Sequence, residues 1–241
     1  GLNFIFDPVN MKISELFFSI QGEGELTGVP SVFVRTSGCN LRCRWCDTKY
    51  ASWKPEGENV TINDLLEKVC SYPARHVVIS GGEPMIAKGI KDFTRLLKES
   101  GKHITIETAG TIAPNGIQCD LASLSPKLSD STPKEGDISK EWIDRHESKR
   151  LDYGILSEWV NSYNFQLKFV VSKEEEIKEI QNVISRIEGK ILPEKVLLMP
   201  EGIDSDTLRS RYDLLIDLCK ENGYRLCNRL HIDLFGNTPG T

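Results

Sequence analysis

The chain has 241 residues, 39% of them hydrophobic, and carries a formal net charge of −5 at pH 7. This length is enough for one α/β domain or two small ones, and the negative charge does not favour a nucleic-acid partner. We find neither a run of about 18 apolar residues nor a secretory signal, so we expect a cytoplasmic protein without a membrane partner. The seven cysteines are an odd number, which argues against a disulfide scaffold.

Short apolar runs alternate with helical stripes along the chain. Residues 1–11 are interpreted as an amino-terminal extension or a remnant of cloning, and residues 12–241 as a single domain. Strands are predicted at 12–18, 31–36, 76–80, 104–107, 121–124, 165–171, 196–199 and 225–227. Helices are predicted after Thr61, between 86 and 101, over 140–162, after Ser172 and over 204–222. This alternation is typical of right-handed βαβ units, so we predict an α/β fold with a parallel sheet, a partial, open (β/α)6-type barrel.

Local signals add expectations about helix starts and loops. Thr61 should cap its helix with Asp64 at the third helical position, and Ser172 should act in the same way with Glu175. Residues 55–59 should form a polar loop. Residues 128–137, rich in Ser, Pro, Gly and charges, should form a mobile loop.

The most informative stretch begins at Cys39. Cys39, Cys43 and Cys46 form a C-x₃-C-x₂-C frame directly after the apolar run 31–35. One short loop of this spacing can surround a single inorganic centre, and three thiolates leave a four-iron cluster one protein ligand short. The alternative is a structural zinc site, which needs a fourth Cys or His, and no second short-spaced pair follows. The other cysteines are isolated: Cys70, Cys119, Cys219 and Cys227.

Several short motifs follow directly after predicted strands. They are Ile20-Gln21-Gly22-Glu23-Gly24, Ser80-Gly81-Gly82-Glu83-Pro84, Glu107-Thr108-Ala109-Gly110, Ser125-Pro126-Lys127 and Met199-Pro200-Glu201-Gly202. Loops at the carboxyl ends of parallel strands share one face, so we expect these motifs, Arg35 and the cysteine loop to line one cavity. Glycines let a backbone approach a ligand closely, and an ammonium group needs only acceptors, which carbonyls and a Glu supply. Alone, Gly-Gly-Glu is also compatible with a plain strand-to-helix turn.

Together these motifs resemble a known superfamily. The cysteine frame and Gly81-Gly82-Glu83 resemble the radical S-adenosylmethionine (SAM) superfamily. The Gln21 motif, Arg35, Cys46-Asp47-Thr48, Ser125-Pro126-Lys127 and the carboxyl-terminal His231…Gly236 are similar, more narrowly, to the 7-carboxy-7-deazaguanine synthase family. That resemblance implies a lyase that converts 6-carboxy-5,6,7,8-tetrahydropterin to 7-carboxy-7-deazaguanine with loss of ammonia, in the biosynthesis of queuosine and related 7-deazapurines. It implies a [4Fe–4S] cluster, SAM and Mg²⁺ as cofactors.

The resemblance also implies a role for each matching residue. Cluster ligands would be Cys39, Cys43 and Cys46, and the Mg²⁺ ligand would be Thr48. SAM contacts would be Trp45, Asp47, Gly82, Glu83, Glu107, Ser125, Pro126, Lys127, Met199, Pro200, Glu201 and Gly202. Substrate contacts would be Ile20, Gln21, Gly22, Glu23, Arg35, Ser80, His231 and Thr241. No side chain is assigned a catalytic step, because the radical formed from SAM abstracts the hydrogen.

Two other functions stay open from the residues alone. A glycyl-radical-enzyme activase uses the same cysteine frame, but it would not need the Gln21 motif or Thr48. A non-enzymatic metal-binding interaction module would not explain Gly-Gly-Glu and Ser-Pro-Lys. His231 is as compatible with a hydrogen-bonded structural role as with substrate binding. The resemblance further implies a homodimer and a flavodoxin-type or other one-electron donor.

Overall fold

The computed structural model of the chain describes residues 9–241. The strands in this range are β1 (Asn10–Ile20), β2 (Pro30–Thr36), β3 (Glu58–Thr61), β4 (His76–Gly81), β5 (His103–Thr108), β6 (Leu121–Leu124), β7 (Phe165–Val171), β8 (Val196–Pro200) and β9 (Arg225–Leu226). The helices are α1 (Ile62–Cys70), α2 (Ile90–Glu99), α3 (Lys140–Lys149), α4 (Tyr153–Ser162), α5 (Glu176–Arg186), α6 (Ser205–Asn222) and α7 (Leu230–Phe235). Residues 1–8 of the predicted extension lie outside the described residues, whereas Asn10 and Met11 belong to β1.

The strands form a nine-stranded sheet in the order β3-β1-β2-β4-β5-β6-β7-β8-β9. All neighbouring pairs from β2 through β9 are parallel, which confirms the predicted open α/β fold. The two pairs that involve β1 are antiparallel, and this was not predicted. For the pair β1–β2, the physical reason is the short connection between the two strands, which contains no crossover helix and therefore cannot join parallel neighbours.

Several local predictions need correction. The stretch 140–162 is two helices rather than one, because the chain restarts at Asp152, whose carboxylate accepts the amide of Ile155 at 3.0 Å. Ser172 does not cap α5 with Glu175. Instead the carboxylate of Glu176 accepts the amide of Ser172 at 2.7 Å. The predicted cap of α1 is confirmed, since the Thr61 hydroxyl accepts the amide of Asp64 at 3.1 Å.

Two predicted loops also differ from expectation. Part of the polar loop 55–59 belongs to β3, where pairing with β1 satisfies its backbone. The stretch 128–137 is anchored rather than loose, because Leu128 and Ser131 are buried. The helix α7 was not predicted, and it places His231 beside the turn that follows β1.

The two faces of the sheet have different characters. Alternate residues such as Val32, Val34 and Ile106 pack into the hydrophobic core beneath the helices. Their neighbours Arg35 and Glu107 line a cavity on the other face. Because side chains alternate along a strand, the same strands build the core and the polar site. No helix within residues 9–241 combines the length and apolar composition needed to cross a bilayer.

Candidate active site

A cavity of about 660 Å³ lies at the carboxyl ends of the parallel strands, a volume suited to a cofactor with a small substrate. Its lining comes from the cysteine loop 39–46 after β2, from the turns after β4, β5, β6 and β8, from the turn after β1 and from the tail 236–241. The expectation that these loops line one cavity is confirmed. The roles of the individual residues stay predictions.

The three thiols of the cysteine loop border this cavity. Burial raises the pKa of Cys39 to about 12 and the pKa of Cys43 to about 11, so both keep their protons until a metal displaces them. Within residues 9–241, no three His, Cys, Asp or Glu side chains converge on one metal-ion position. A tetrahedral zinc site needs its ligands around one ion, whereas the thiolates of a cluster bind different iron atoms. The three thiols of this one loop are the set that a cluster with one open iron takes from a protein.

Hydrogen bonds between uncharged groups hold the backbone of the cysteine loop. His146 on α3 is fully buried, and its Nδ1 accepts the amide N–H of Arg42 at 3.0 Å. Its Nε2 must then carry the proton of the neutral ring and donate it to the Ser131 hydroxyl, 2.9 Å away. The carbonyl of Ser131 accepts the amide of Arg44 at 2.7 Å. Burial lowers the pKa of His146 to about 4, so this clamp is uncharged at pH 7.

The glycine turn after β4 packs directly against the start of the cysteine loop. A Cβ atom on Gly82 would lie 2.2 Å from the carbonyl oxygen of Gly38, so only glycine fits there. Glu83 does not line the cavity. Its buried carboxylate accepts the Thr108 hydroxyl at 2.8 Å and the amide of Ala109 at 3.0 Å. The contact of Glu83 with SAM stays a prediction, and the structure shows that this carboxylate joins two strand ends.

The loop after β6 faces the tryptophan of the cysteine loop. The Lys127 ammonium lies 5.4 Å from the ring centroid of Trp45, a cation–π distance, and it donates to the Ser125 hydroxyl at 2.8 Å. Both loop residues and Trp45 line the cavity. Pro126 lies between them but is not part of the lining, and its SAM contact stays a prediction. Its ring instead fixes the backbone between two residues that do face the cavity.

A set of buried charges borders the cavity. Arg229, directly before α7, donates to Glu23 at 3.0 Å, to Asp47 at 2.5 Å and to the carbonyl oxygen of Gly202 at 2.6 Å. Lys168 on β7 forms a salt bridge with the other oxygen of Glu23. Burial alone would raise the pKa of Glu23, but Lys168 and Arg229 outweigh it and hold the pKa far below its usual range. We refer to Glu23, Asp47, Lys168 and Arg229 as the buried charge network.

The turn after β1 supplies an amide and a close backbone contact. The side-chain nitrogen of Gln21 lies 3.4 Å from the carboxylate of Glu107. A Cβ atom on Gly22 would lie 2.0 Å from Nδ1 of His231, so this glycine lets the imidazole pack onto the turn. Burial lowers the pKa of His231, which keeps the ring neutral at pH 7. A neutral imidazole and an amide can each both donate and accept, as the edge of a pterin requires.

Arg35 enters the cavity from β2. Its Nε donates to a carboxylate oxygen of Glu15 at 2.6 Å, and the Tyr50 hydroxyl donates to the same oxygen at 2.9 Å. Glu15 and Tyr50 also line the cavity. This pairing holds the guanidinium in one orientation within the site.

With the exceptions of Glu83 and Pro126, every predicted site residue lines the cavity. The prediction missed Glu15, Tyr50, Lys168 and Arg229. A signal existed for Lys168, because Gln166 and Lys168 interrupt the apolar strand β7 at alternating positions, a pattern that places polar side chains on one face. Glu15 gave no such signal, because its orientation depends on an irregularity in β1.

Comparison with known proteins agrees with this geometry. The profile of the Radical SAM superfamily matches residues 33–120, from β2 through the cysteine loop and the glycine turn to Asp120, just before β6. Fold and site together therefore define a radical SAM protein. The chain is 48% identical to the 7-carboxy-7-deazaguanine synthase of Rhodopirellula baltica, over 96% of this chain and 89% of that one. It is 42% identical to the synthase of Halobacterium salinarum, over 98% and 94%.

A solved structure extends the similarity to the fold. The crystal structure of QueE from Escherichia coli matches with a TM-score of 0.67 at 27% sequence identity, covering 92% of this chain and 95% of that one. The chain belongs to the 7-carboxy-7-deazaguanine synthase family. Radical SAM proteins use a [4Fe–4S] cluster and SAM, and the cysteine loop of this chain has the three thiols that such a cluster requires.

Proposed function

We propose that this protein converts 6-carboxy-5,6,7,8-tetrahydropterin to 7-carboxy-7-deazaguanine with release of ammonia. The observation that carries the proposal is one cavity bordered by three thiols, a glycine turn and an arginine suited to a carboxylate. Membership in a family whose members are named for this product supports it. The product is a precursor of 7-deazapurines such as queuosine.

The cysteine loop would hold the cluster through Cys39, Cys43 and Cys46, and no other cysteine lines the cavity within the described residues. When bound, the cluster and SAM supply the one-electron hydrogen-atom abstraction of the superfamily. The contribution of the chain is to position both ligands and to exclude water. The neutral clamp of His146 and Ser131 fixes the backbone between the thiols, so the ligand geometry is set before a cluster binds.

The SAM side of the cavity would use backbone and small polar groups. Gly82 lets the chain approach a ligand that a larger residue would exclude. Ser125 and Lys127 offer a hydroxyl and a cation for a carboxylate or ribose, and Trp45 offers an aromatic face. The remaining SAM contacts on this side would be Asp47, Glu107, Met199, Pro200, Glu201 and Gly202, which all line the cavity.

The substrate side would use Arg35 for the carboxylate and Gln21 with His231 for the pterin edge. The buried charge network fixes Glu23 and Asp47 as ionised carboxylates beside this space. Ile20, Gly22, Ser80 and Thr241 would complete the substrate contacts, and all four line the cavity. No residue of the chain is assigned the ring rearrangement itself.

Thr48 is the proposed Mg²⁺ ligand. It lines the cavity two residues after the last cluster cysteine. A single hydroxyl is a weak site, but Mg²⁺ usually keeps waters and takes ligands from its substrate, here the carboxylate. We expect Thr48→Ala to weaken the Mg²⁺ dependence of turnover with unchanged iron content, and Thr48→Ser, which keeps the hydroxyl, to preserve it. Loss of iron in Thr48→Ala would contradict the assignment.

Three further expectations concern the state of the protein. The continuous nine-stranded sheet supports a single domain over the described residues. A homodimer and a flavodoxin-type one-electron donor stay predictions from the family resemblance. Sedimentation of the anaerobic holoenzyme tests the dimer, and activity with a purified flavodoxin system in place of a chemical reductant tests the donor.

The decisive assay supplies anaerobic holoenzyme, reductant, SAM, Mg²⁺ and carboxytetrahydropterin, and follows the product by mass. We expect 7-carboxy-7-deazaguanine to form. Cys43→Ser should lose both the product and the iron, whereas the matched control Cys70→Ser, at an exposed cysteine outside the cavity, should keep both. Deoxyadenosine without the deazaguanine would contradict the proposal and favour an activase.

A further inference from the structure

Strand β1 contains a β-bulge, and the side chains after the bulge point to the opposite face from the one that strict alternation predicts. Met11 and Ile13 pack into the core beneath the helices, and strict alternation would place residue 15 there as well. The register of the β1–β2 pair shifts between Ile13 and Glu15, and a bulge of this kind re-aims the residues that follow it. Beyond the shift, Leu16 packs against the core, while Glu15 and Phe17 line the cavity.

The bulge thereby creates two matched cross-strand pairs on the cavity wall. Glu15 lies opposite Arg35, and Phe17 lies opposite Phe33. The two phenyl rings stack with centroids 5.0 Å apart and an interplanar angle of 5°. The wall therefore presents a guanidinium beside a flat aromatic surface, the two features that would recognise a carboxylate attached to a ring system.

Glu15 and Tyr50 fix the orientation of that guanidinium. One oxygen of Glu15 accepts both Nε of Arg35 at 2.6 Å and the Tyr50 hydroxyl at 2.9 Å. Within residues 9–241, no group accepts a hydrogen bond from the terminal nitrogens of Arg35, so both remain available to a ligand. The Arg35 and Glu15 side chains are only 19% and 14% exposed, where an ion pair is screened less than at the surface. Burial and the bond to Glu15 raise the pKa of Tyr50 to about 12, so its hydroxyl donates at any physiological pH.

We infer that Glu15 and Tyr50 are positioning residues that set substrate specificity by aiming the terminal nitrogens of Arg35 at the substrate carboxylate. The ring system of the substrate would lie beside Phe17 and Phe33. This inference rests on the proposed function and deepens it: preference for a carboxylated over an uncarboxylated pterin depends on two residues that do not themselves touch the carboxylate.

The test measures the binding of two probes, 6-carboxy-5,6,7,8-tetrahydropterin and 5,6,7,8-tetrahydropterin, to anaerobic holoenzyme with SAM. Glu15→Gln keeps the shape but removes the charge, and it should weaken binding of the carboxylated probe about tenfold, the size of one charge-assisted hydrogen bond. Binding of the uncarboxylated probe should change less than about twofold. Tyr50→Phe should act in the same direction by about threefold. The matched control is Glu58→Gln, at an exposed position on β3 that pairs with Ile13 of β1. It should change the binding of neither probe.

A double-mutant cycle separates positioning from general damage. In an Arg35→Ala background, adding Glu15→Gln should have no further effect on either probe, because the two residues act as one unit. Equal loss of affinity for both probes in Glu15→Gln, or loss of iron or SAM binding, would overturn the inference, since either result shows a general structural role.

The same data distinguish the inference from the proposed function. If Arg35→Ala removes the preference for the carboxylated probe while Glu15→Gln keeps it, the inference is wrong and the substrate site stands. If Arg35→Ala itself keeps the full preference, the proposed substrate site is wrong, and the inference falls with it.

Discussion

The cysteine loop and the buried charge network border the same cavity, but they are fixed by different interactions. Two amides of the cysteine loop are held by a neutral imidazole and by a carbonyl, through His146 and Ser131. In the charge network, Arg229 joins two carboxylates and a carbonyl from three separate segments of the chain. The first region depends on neutral hydrogen bonds and the second on complete charge pairing.

The difference matches what each region must accommodate. Cluster binding removes protons from thiols whose pKa values burial has raised, so the loop has to tolerate a change in its own charge. Because His146 and Ser131 are neutral, the hydrogen bonds that they make to the loop do not depend on the charge of the thiols. The charge network instead keeps Glu23 and Asp47 ionised at all times, and a buried carboxylate stays charged only where cations pair with it.

The largest expected effect breaks the charge network. Arg229→Met keeps an unbranched apolar stem but leaves Asp47 and Glu23 without the guanidinium between them. Removing one partner of a buried pair usually lowers the free energy of unfolding by about 3–5 kcal/mol. Denaturant unfolding of the anaerobic holoenzyme measures this loss. The control Arg209→Met, at an exposed position on α6, should cost no more than about 0.5 kcal/mol. Equal stability of the two variants would show that the network contributes little.

A second variant displaces the imidazole beside the network. Gly22→Ala introduces a Cβ atom 2.0 Å from Nδ1 of His231 and 2.8 Å from the backbone nitrogen of the same residue. Relieving such an overlap typically costs about 1–3 kcal/mol, and the backbone contact places this variant at the upper end. We expect a lower midpoint of thermal unfolding and weaker pterin binding. Gly154→Ala on α4, whose added Cβ would meet nothing closer than 3.4 Å, is the matched control and should be neutral or stabilising. Wild-type pterin affinity in Gly22→Ala would argue against a substrate role for His231.

The smallest expected effect concerns the neutral clamp and its response to pH. The pKa of His146 falls from 6.5 to about 4 on folding, so the unfolded chain takes up a proton first as the pH falls. The stability from the neutral ring is therefore present above pH 6.5 and is lost as the pH falls towards 4. Between pH 7 and pH 5 the loss should be about 2 kcal/mol.

The variant His146→Gln isolates this contribution, because it does not titrate. The difference in unfolding free energy between the wild type and this variant should shrink by that amount over the same range. Comparing the difference, rather than the wild type alone, cancels the effects of acid on the rest of the protein. A difference that stays constant with pH would contradict a neutral His146.

The parts of the site that the sequence predicted are those that topology dictates. Cys39, Gly82, Ser125 and Glu201 follow four different parallel strands, and the carboxyl ends of such strands necessarily meet at one edge. Local motif chemistry then assigned most roles. Motif chemistry did not indicate the structural bonds of Glu83, whose carboxylate accepts hydrogen bonds that join the ends of β4 and β5.

The parts that sequence reasoning missed depend on pairing and register. Glu15 reaches the cavity only because the β1–β2 register shifts by one residue, and no local propensity indicates where that shift occurs. Arg229 stands before a helix, α7, that is too short to give a clear periodic signal. Its importance comes from Glu23 and Asp47, more than 180 positions away in the chain, and such contacts are visible only in the folded structure.

The most direct test of the account is the EPR spectrum of the reduced, anaerobically reconstituted protein, recorded with and without SAM. We expect about four iron and about four sulfide atoms per chain and a [4Fe–4S]⁺ signal whose g values change when SAM is added, because one iron has no protein ligand. A cluster signal that SAM leaves unchanged, or a colourless protein that contains zinc, would contradict it.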